Sequence, residues 1–217
     1  MRRALAAEFL GALLLTAAVV GSGIMGEQLA GGNAAVALLA NTGATVAALA
    51  TLIAVFGPIS GAHFNPVVTL VAVHQRQLDL PRGLAYIGVQ VAGCCAGAML
   101  ANIMFELPAV HVSTHARTGG AQWLSEVIAT AGLVYIAFSA PTISAAAWRV
   151  SAWIGAAYWF TASTSFANPA ITLGRSLTDS FAGIRPVDAP AFIVAQIAGG
   201  ILGVLLLRFF MERRVPA

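Results

Sequence analysis

An all-α membrane protein, with six transmembrane helices and two re-entrant half-helices arranged as an inverted 3+3 repeat, is the fold class that three observations predict. The 217 residues are 59% hydrophobic and only 9% charged, with a mean hydropathy of +0.86. That is too little charge to cover the surface of a soluble domain. Six apolar runs have about the 20-residue length that a bilayer crossing needs. Two further apolar segments, each opened by Asn-Pro, are too short to cross.

The first crossing is placed at 4–26. Arg2 and Arg3 ahead of an apolar run resemble a secretory leader, but the run outlasts a leader's core and holds Glu8, which predicts a span instead. Crossings at 33–56, 83–105, 122–140, 150–166 and 189–210 follow from breaks at charge, Pro and Gly. The fifth, flanked by Arg149, is the shortest. Every basic residue is Arg, scattered singly or in pairs, which argues against nucleic acid as a partner and for reading charge through membrane orientation. With both termini in the cytoplasm, the inner side carries Arg2, Arg3, Arg76, Arg82, Arg149, Arg208, Arg213 and Arg214. The outer side carries Arg117, Arg175 and Arg185, so the six-span order satisfies the positive-inside bias of a multi-pass cell-membrane protein. Cys94 and Cys95 sit side by side in an apolar run and read as helix packing, not as a disulfide or metal site. His111 and His115 have an i,i+4 spacing that suits a metal on a helix, though a solvated loop fits them better. No cofactor or resident metal is expected.

The leftover segments are 57–75, GPISGAHFNPVVTLVAVHQ, and 163–177, STSFANPAITLGRSL. Asn is a strong N-cap and Pro suits the first helical position, so Asn65-Pro66-Val67 and Asn168-Pro169-Ala170 each read as a helix start. Two half-helices entering from opposite faces and meeting at their N-termini would make one composite span.

An internal repeat supports that arrangement. Gln90 aligns with Gln196, Tyr86 with Phe192, Gly93 with Gly199 and Gly97 with Gly203; Glu8 aligns with Glu126, and NPVVTL with NPAITL. One domain, 1–217, thus divides into halves of about 1–107 and 118–217. Three spans per half is odd, which inverts one half relative to the other. The glycine pairs read as close helix contacts.

Opposed helix N-termini offer unpaired N–H groups and partial positive charge. They repel cations and accept the lone pairs of a neutral solute. With their carbonyl ends capping, Asn65 and Asn168 are expected to leave their NH₂ groups free to donate into a pore. Irregular backbone at membrane depth is tolerated where it lines a wet cavity, so Gly61, Ala62, His63 and Phe64, with Ser165, Phe166 and Ala167, are the expected pore-lining loops. A carboxylate within a span is a functional-site candidate. Glu8 and Glu126 either couple protons, as in a secondary transporter, or orient these loops by accepting backbone N–H bonds; their equivalent places in the two halves favour orientation. No HExxH, no GxSxG and no nucleophile–base pair points to an enzyme.

Paired Asn-Pro motifs, SGAHFNP before the first and a Glu on the first span of each half resemble the aquaporin, or major intrinsic protein, family, and the likeness covers essentially the whole chain. The resemblance implies a passive pore, a homotetramer with one pore per protomer, and a second constriction outside the Asn-Pro junction. There the family carries an Arg directly after the second motif; here that residue is Ile171. By spacing, the other filter positions fall on Thr45, Ala156 and Ser165. A ring so free of charge predicts passage of uncharged solutes larger than water, such as glycerol or a neutral metalloid acid like arsenous acid, and resembles a bacterial subgroup linked to arsenic handling. Val67, where the family has Ala, reads as a packing adjustment. Arg175, one turn beyond Ile171, is expected in the outer vestibule paired with Asp179 at i+4; the competing reading has its side chain reach back toward the constriction.

Overall fold

A computed structural model describes residues 1–211, so Arg213, Arg214 and the last residues of the second half lie outside the described residues. Eight helices follow in order: α1 (Arg2–Leu29), α2 (Ala34–Ser60), α3 (Pro66–His74), α4 (Leu80–Met104), α5 (Gly120–Ser139), α6 (Ile143–Phe160), α7 (Pro169–Arg175) and α8 (Ala189–Met211). Five of them are long and apolar enough to cross a membrane. The sixth long helix, α6, has 18 residues and carries Arg149 with polar-tipped aromatics, which lowers its hydropathy. The half-helices α3 and α7 have only 9 and 7 residues. The fold is the inverted repeat of three long helices and one short one.

Helix starts follow local chemistry. Asn33 caps α2 by accepting the amides of Ala35 and Val36, and Asp79 caps α4 through Arg82 N–H at 2.9 Å. The fifth crossing is shifted from its expected place at 150–166. Thr142 Oγ1 accepts the Ala145 amide at 3.1 Å, so the helix starts ahead of Arg149, which lies exposed on it; the chain leaves the helix at Thr161 and is irregular by Phe166. His111 and His115 lie on no helix, so their spacing places them on no common face, and no group of three or more metal-ligating residues exists among the described residues. Cys94 is buried and free, with its Sγ near the Ala12 carbonyl.

The bundle is held by close backbone approaches that glycine permits. A Cβ on Gly97 would lie 2.2 Å from the Leu13 carbonyl oxygen and one on Gly93 2.4 Å from that of Phe9, so α1 and α4 touch main chain to main chain. The second half repeats this between α5 and α8, where Gly199 and Gly203 meet the Val127 and Ala131 carbonyls. Val67 also has a glycine partner: its Cγ1 fills the space where a Cβ on Gly200 would sit, 2.5 Å away. Outward-facing Leu39, Ile201, Trp148 and Phe210 are left exposed, as befits a surface solvated by lipid.

Gly97→Ala should overpack α1 against α4 and lose about 1–3 kcal/mol, whereas Gly88→Ala, whose new methyl meets nothing within 4 Å, should be neutral or stabilising. Thermal unfolding midpoints in detergent check the pair; equal midpoints would contradict the close-contact account.

Candidate functional site

The two short helices meet at their N-termini through crossed hydrogen bonds. Asn65 Nδ2 donates to the Ala167 carbonyl at 2.7 Å, and Asn168 Nδ2 donates to the Phe64 carbonyl at 2.8 Å. Each Oδ1 meanwhile caps its own helix: Asn65 accepts from Val67 N–H, and Asn168 from Ala170 and Ile171 N–H. This corrects the expectation of free amide groups. One proton of each NH₂ ties the two halves together, and the second takes no partner among the described residues.

The loops that lead into the helices are strained in matching places. Gly61, Ala62 and Phe64 have φ of 92°, 50° and 48°; Thr164, Ser165 and Ala167 have 59°, 49° and 49°. Non-glycine residues persist in this region only where surroundings over-determine them. The surroundings here are two buried carboxylates. Glu8, 0% exposed, accepts from Ser60 Oγ and His63 N–H at Oε1, and from Phe64 N–H and Gln90 Nε2 at Oε2. Glu126, also 0% exposed, accepts from Ser163 Oγ and Phe166 N–H at Oε1, and from Ala167 N–H and Gln196 Nε2 at Oε2. Each Gln donates also to a threonine of its short helix, Thr69 or Thr172. The serines, threonines and the role of the glutamines were missed in sequence, although both segments share the pattern Ser-x4-Asn-Pro-x2-Thr that would have found them.

A cavity of about 460 Å³ runs past this junction. Gly61, Ala62, His63, Phe64, Asn65, Phe166, Ala167 and Asn168 all line it; Glu8 and Glu126 do not. Leu49, Ile53, Leu133, Val150 and Ile154 supply apolar walls. Pro66, Val67, Pro169 and Ala170 are buried behind the lining, with Val67 turned toward α8. His63 Nδ1 lies 3.2 Å from Thr69 Oγ1 and its ring packs edge-on to Tyr86, which holds the imidazole at the cavity wall.

Of the four expected filter positions, Thr45, Ser165 and Ile171 face the cavity and Ala156 does not. Ala156 is exposed on the outer side of α6, because the rotation of that helix brings Ile154 and Tyr158 inward in its place. Tyr158 is 3% exposed, and its hydroxyl lies 3.3 Å from Thr45 Oγ1. An aromatic with a polar tip thus stands where a methyl group was expected. Arg175 is the larger correction. It is 1% exposed, lies on the cavity wall, and has its guanidinium 3.4 Å above the centroid of the Phe166 ring. Its Nε donates to the Ala182 carbonyl. The expected partner Asp179 is taken by Thr114, whose N–H and Oγ1 both bind its carboxylate. Arg117, expected as a plain outer-loop charge, is a buried strut: its Nε, Nη1 and Nη2 donate to the carbonyls of Gly183, Ser163 and Phe181.

Comparison with known proteins agrees with this geometry. The profile of the family described as Major intrinsic protein matches residues 1–152 and 140–216. The chain belongs to the major intrinsic protein family. Membership makes it a membrane channel and not an enzyme. Among relatives of this family, a Rhizobium meliloti protein named aquaglyceroporin AqpS is 48% identical over 218 residues, covering 100% of this chain and 93% of that protein. Aquaporin A of Dictyostelium discoideum is 30% identical, covering 95% of this chain and 78% of its own length. The X-ray structure of the aquaglyceroporin from Plasmodium falciparum superposes with a TM-score of 0.72 over 99% of this chain and 97% of that one, at 20% identity, and so shares the fold.

Replacing Glu126 by Gln presents an amide N–H₂ to groups that themselves donate, and should destabilise the protein by about 3 kcal/mol; a thermal midpoint equal to the parent's would refute the loop-buttress role. Outside the membrane, the Thr114 backbone N–H is the main influence holding the Asp179 carboxyl below its ordinary value. A depressed carboxyl contributes stability that is present above the unfolded pKa and is lost as pH falls through the folded one. The Thr114 amide resonance should therefore titrate with a midpoint below about 3.9, and a midpoint above it would contradict the contact.

Proposed function

We propose that the chain is a passive transmembrane channel for water and small uncharged solutes, with a filter suited to glycerol-like polyols and to neutral metalloid acids such as arsenous acid. One observation carries the proposal: one cavity is lined by both crossed asparagines and by Thr45, Tyr158, Ser165 and Ile171. Aliphatic Ile171 lining the same cavity as three hydroxyl-bearing residues gives an amphipathic passage, and a polyol has a carbon edge and a hydroxyl edge to match. The name aquaglyceroporin, borne by the Rhizobium relative, supports the polyol reading.

The alternative, proton-coupled transport through Glu8 or Glu126, has less support. Both oxygens of each carboxylate already accept two hydrogen bonds, neither residue is exposed, and neither faces the cavity. A proton carrier needs access to both solvent and solute. The opposed N-termini of α3 and α7 add partial positive charge at the junction, and the remaining amide proton of each Asn orients a passing oxygen. The Arg distribution supports cytoplasmic termini, as the positive-inside bias requires, and the family supports a homotetramer in the cell membrane. The halves near 1–107 and 118–217 are proposed as the units of the repeat.

Proteoliposomes tested by stopped-flow against water, glycerol and arsenous acid decide the solute class. Glycerol should pass down its own gradient without a proton or sodium gradient. Ile171→Arg should keep water flow and lower glycerol permeability by about tenfold, a barrier change of about 1.4 kcal/mol. An unmodified protein that blocks glycerol and arsenous acid ends the reading of a filter that passes uncharged solutes larger than water.

A further inference from the structure

Two buried guanidiniums flank the same ring, and they are in opposite states. Arg117 lies 5.1 Å from the Phe166 centroid, and each of its three nitrogens donates to a carbonyl. It is off the cavity and fully occupied in holding the outer loops. Arg175 lies on the cavity, and only its Nε is engaged. Its Nη1 is buried with no partner among the described residues, as is the Oγ of Ser165, which lines the same cavity.

No acid forms an ion pair with Arg175 among the described residues. Among the described residues the salt bridges are Arg82 with Asp79 and Arg185 with Asp188. Glu126 is committed to Ser163, Phe166, Ala167 and Gln196; Asp179 is committed to Thr114; Asp188 accepts from Arg117 N–H and Arg185. A buried charge without a counter-ion is among the least favourable groups a fold can carry. Its retention at a cavity wall, on an aromatic platform that tolerates a cation, with donor protons unspent, is what a site for a neutral oxygen-bearing solute requires.

We infer that Arg175 supplies the fixed positive charge of this pore's outer constriction, donating to the oxygens of neutral solutes and excluding cations. This rests on the channel reading above and assigns the cation barrier to one residue. Phe166 and Arg117 act through it as positioning residues. Phe166 supplies the face on which the guanidinium lies, and its own amide is pinned by Glu126. Arg117 ties Ser163, in the same loop, to the outer connections. Charge in a low-dielectric wall acts over several ångströms, so a passing cation is repelled without touching the guanidinium, whereas water and polyols are not.

The test compares the parent with Arg175→Met, Arg175→Gln and Arg175→Lys in proteoliposomes. Proton leak is read by an entrapped pH dye under a potassium diffusion potential, and glycerol flux by light scattering on the same vesicles. The ratio of proton to glycerol permeability should rise by about tenfold or more in the Met and Gln variants and return near the parent's in Lys, since only the charge is restored. Gln can still donate to the Ala182 carbonyl, so it carries the comparison where Met fails to assemble. Neutral variants with the parent's ratio overturn the assignment, as does a Lys variant that leaks like Gln. A parent that passes no glycerol would sink the polyol reading instead, and the proton leak of Gln against parent would still judge Arg175.

Discussion

Backbone amides at the centre of an apolar bundle have no water to turn to, and everything in this pore depends on how two loops satisfy theirs. A helix satisfies its own amides; these loops cannot, because their left-handed residues break the ladder. One carboxylate per loop does the work. Glu8 and Glu126 each hold two successive loop amides and are themselves held by a Ser hydroxyl and a Gln amide. An ionised carboxylate accepts all four bonds only because it is acceptor-only. Burial of the charge and strain of the loop are thus solved together.

The carboxylates fix each loop within its own half, and the asparagines then join the halves. Each Asn caps its short helix with one atom and grips the opposite loop with another. Neither half-helix could stay in an apolar interior alone, since 7 or 9 residues leave most of their terminal groups unpaired. The junction is therefore a mutual closure of two incomplete elements.

Much of this was legible in the sequence, for a physical reason. Helix caps, half-length apolar runs and a repeated Glu, Asn-Pro and Gln are local signals, and local rules read them. Ala156 was misplaced and Tyr158 overlooked because ungapped spacing from the Asn-Pro motif does not fix which face of α6 turns inward. Thr142 sets the start of α6 several residues before the expected place, and on the helix as packed Ala156 faces the surface. For Arg175, helical spacing offered Asp179 as a partner, but the chain leaves the helix directly after Arg175, so Asp179 sits on a loop and turns to Thr114. Burial then decided the rest: a flat cation found an aromatic face and a carbonyl inside the bundle.

The fit of Val67 into the space left by Gly200 separates two things that the motif joins in writing. Asn65 and Pro66 belong to the pore junction, but the third residue belongs to the contact between α3 and α8, on the side away from the solute. The identity of that letter is thus a matter of helix spacing, tied to the small residue that faces it on α8.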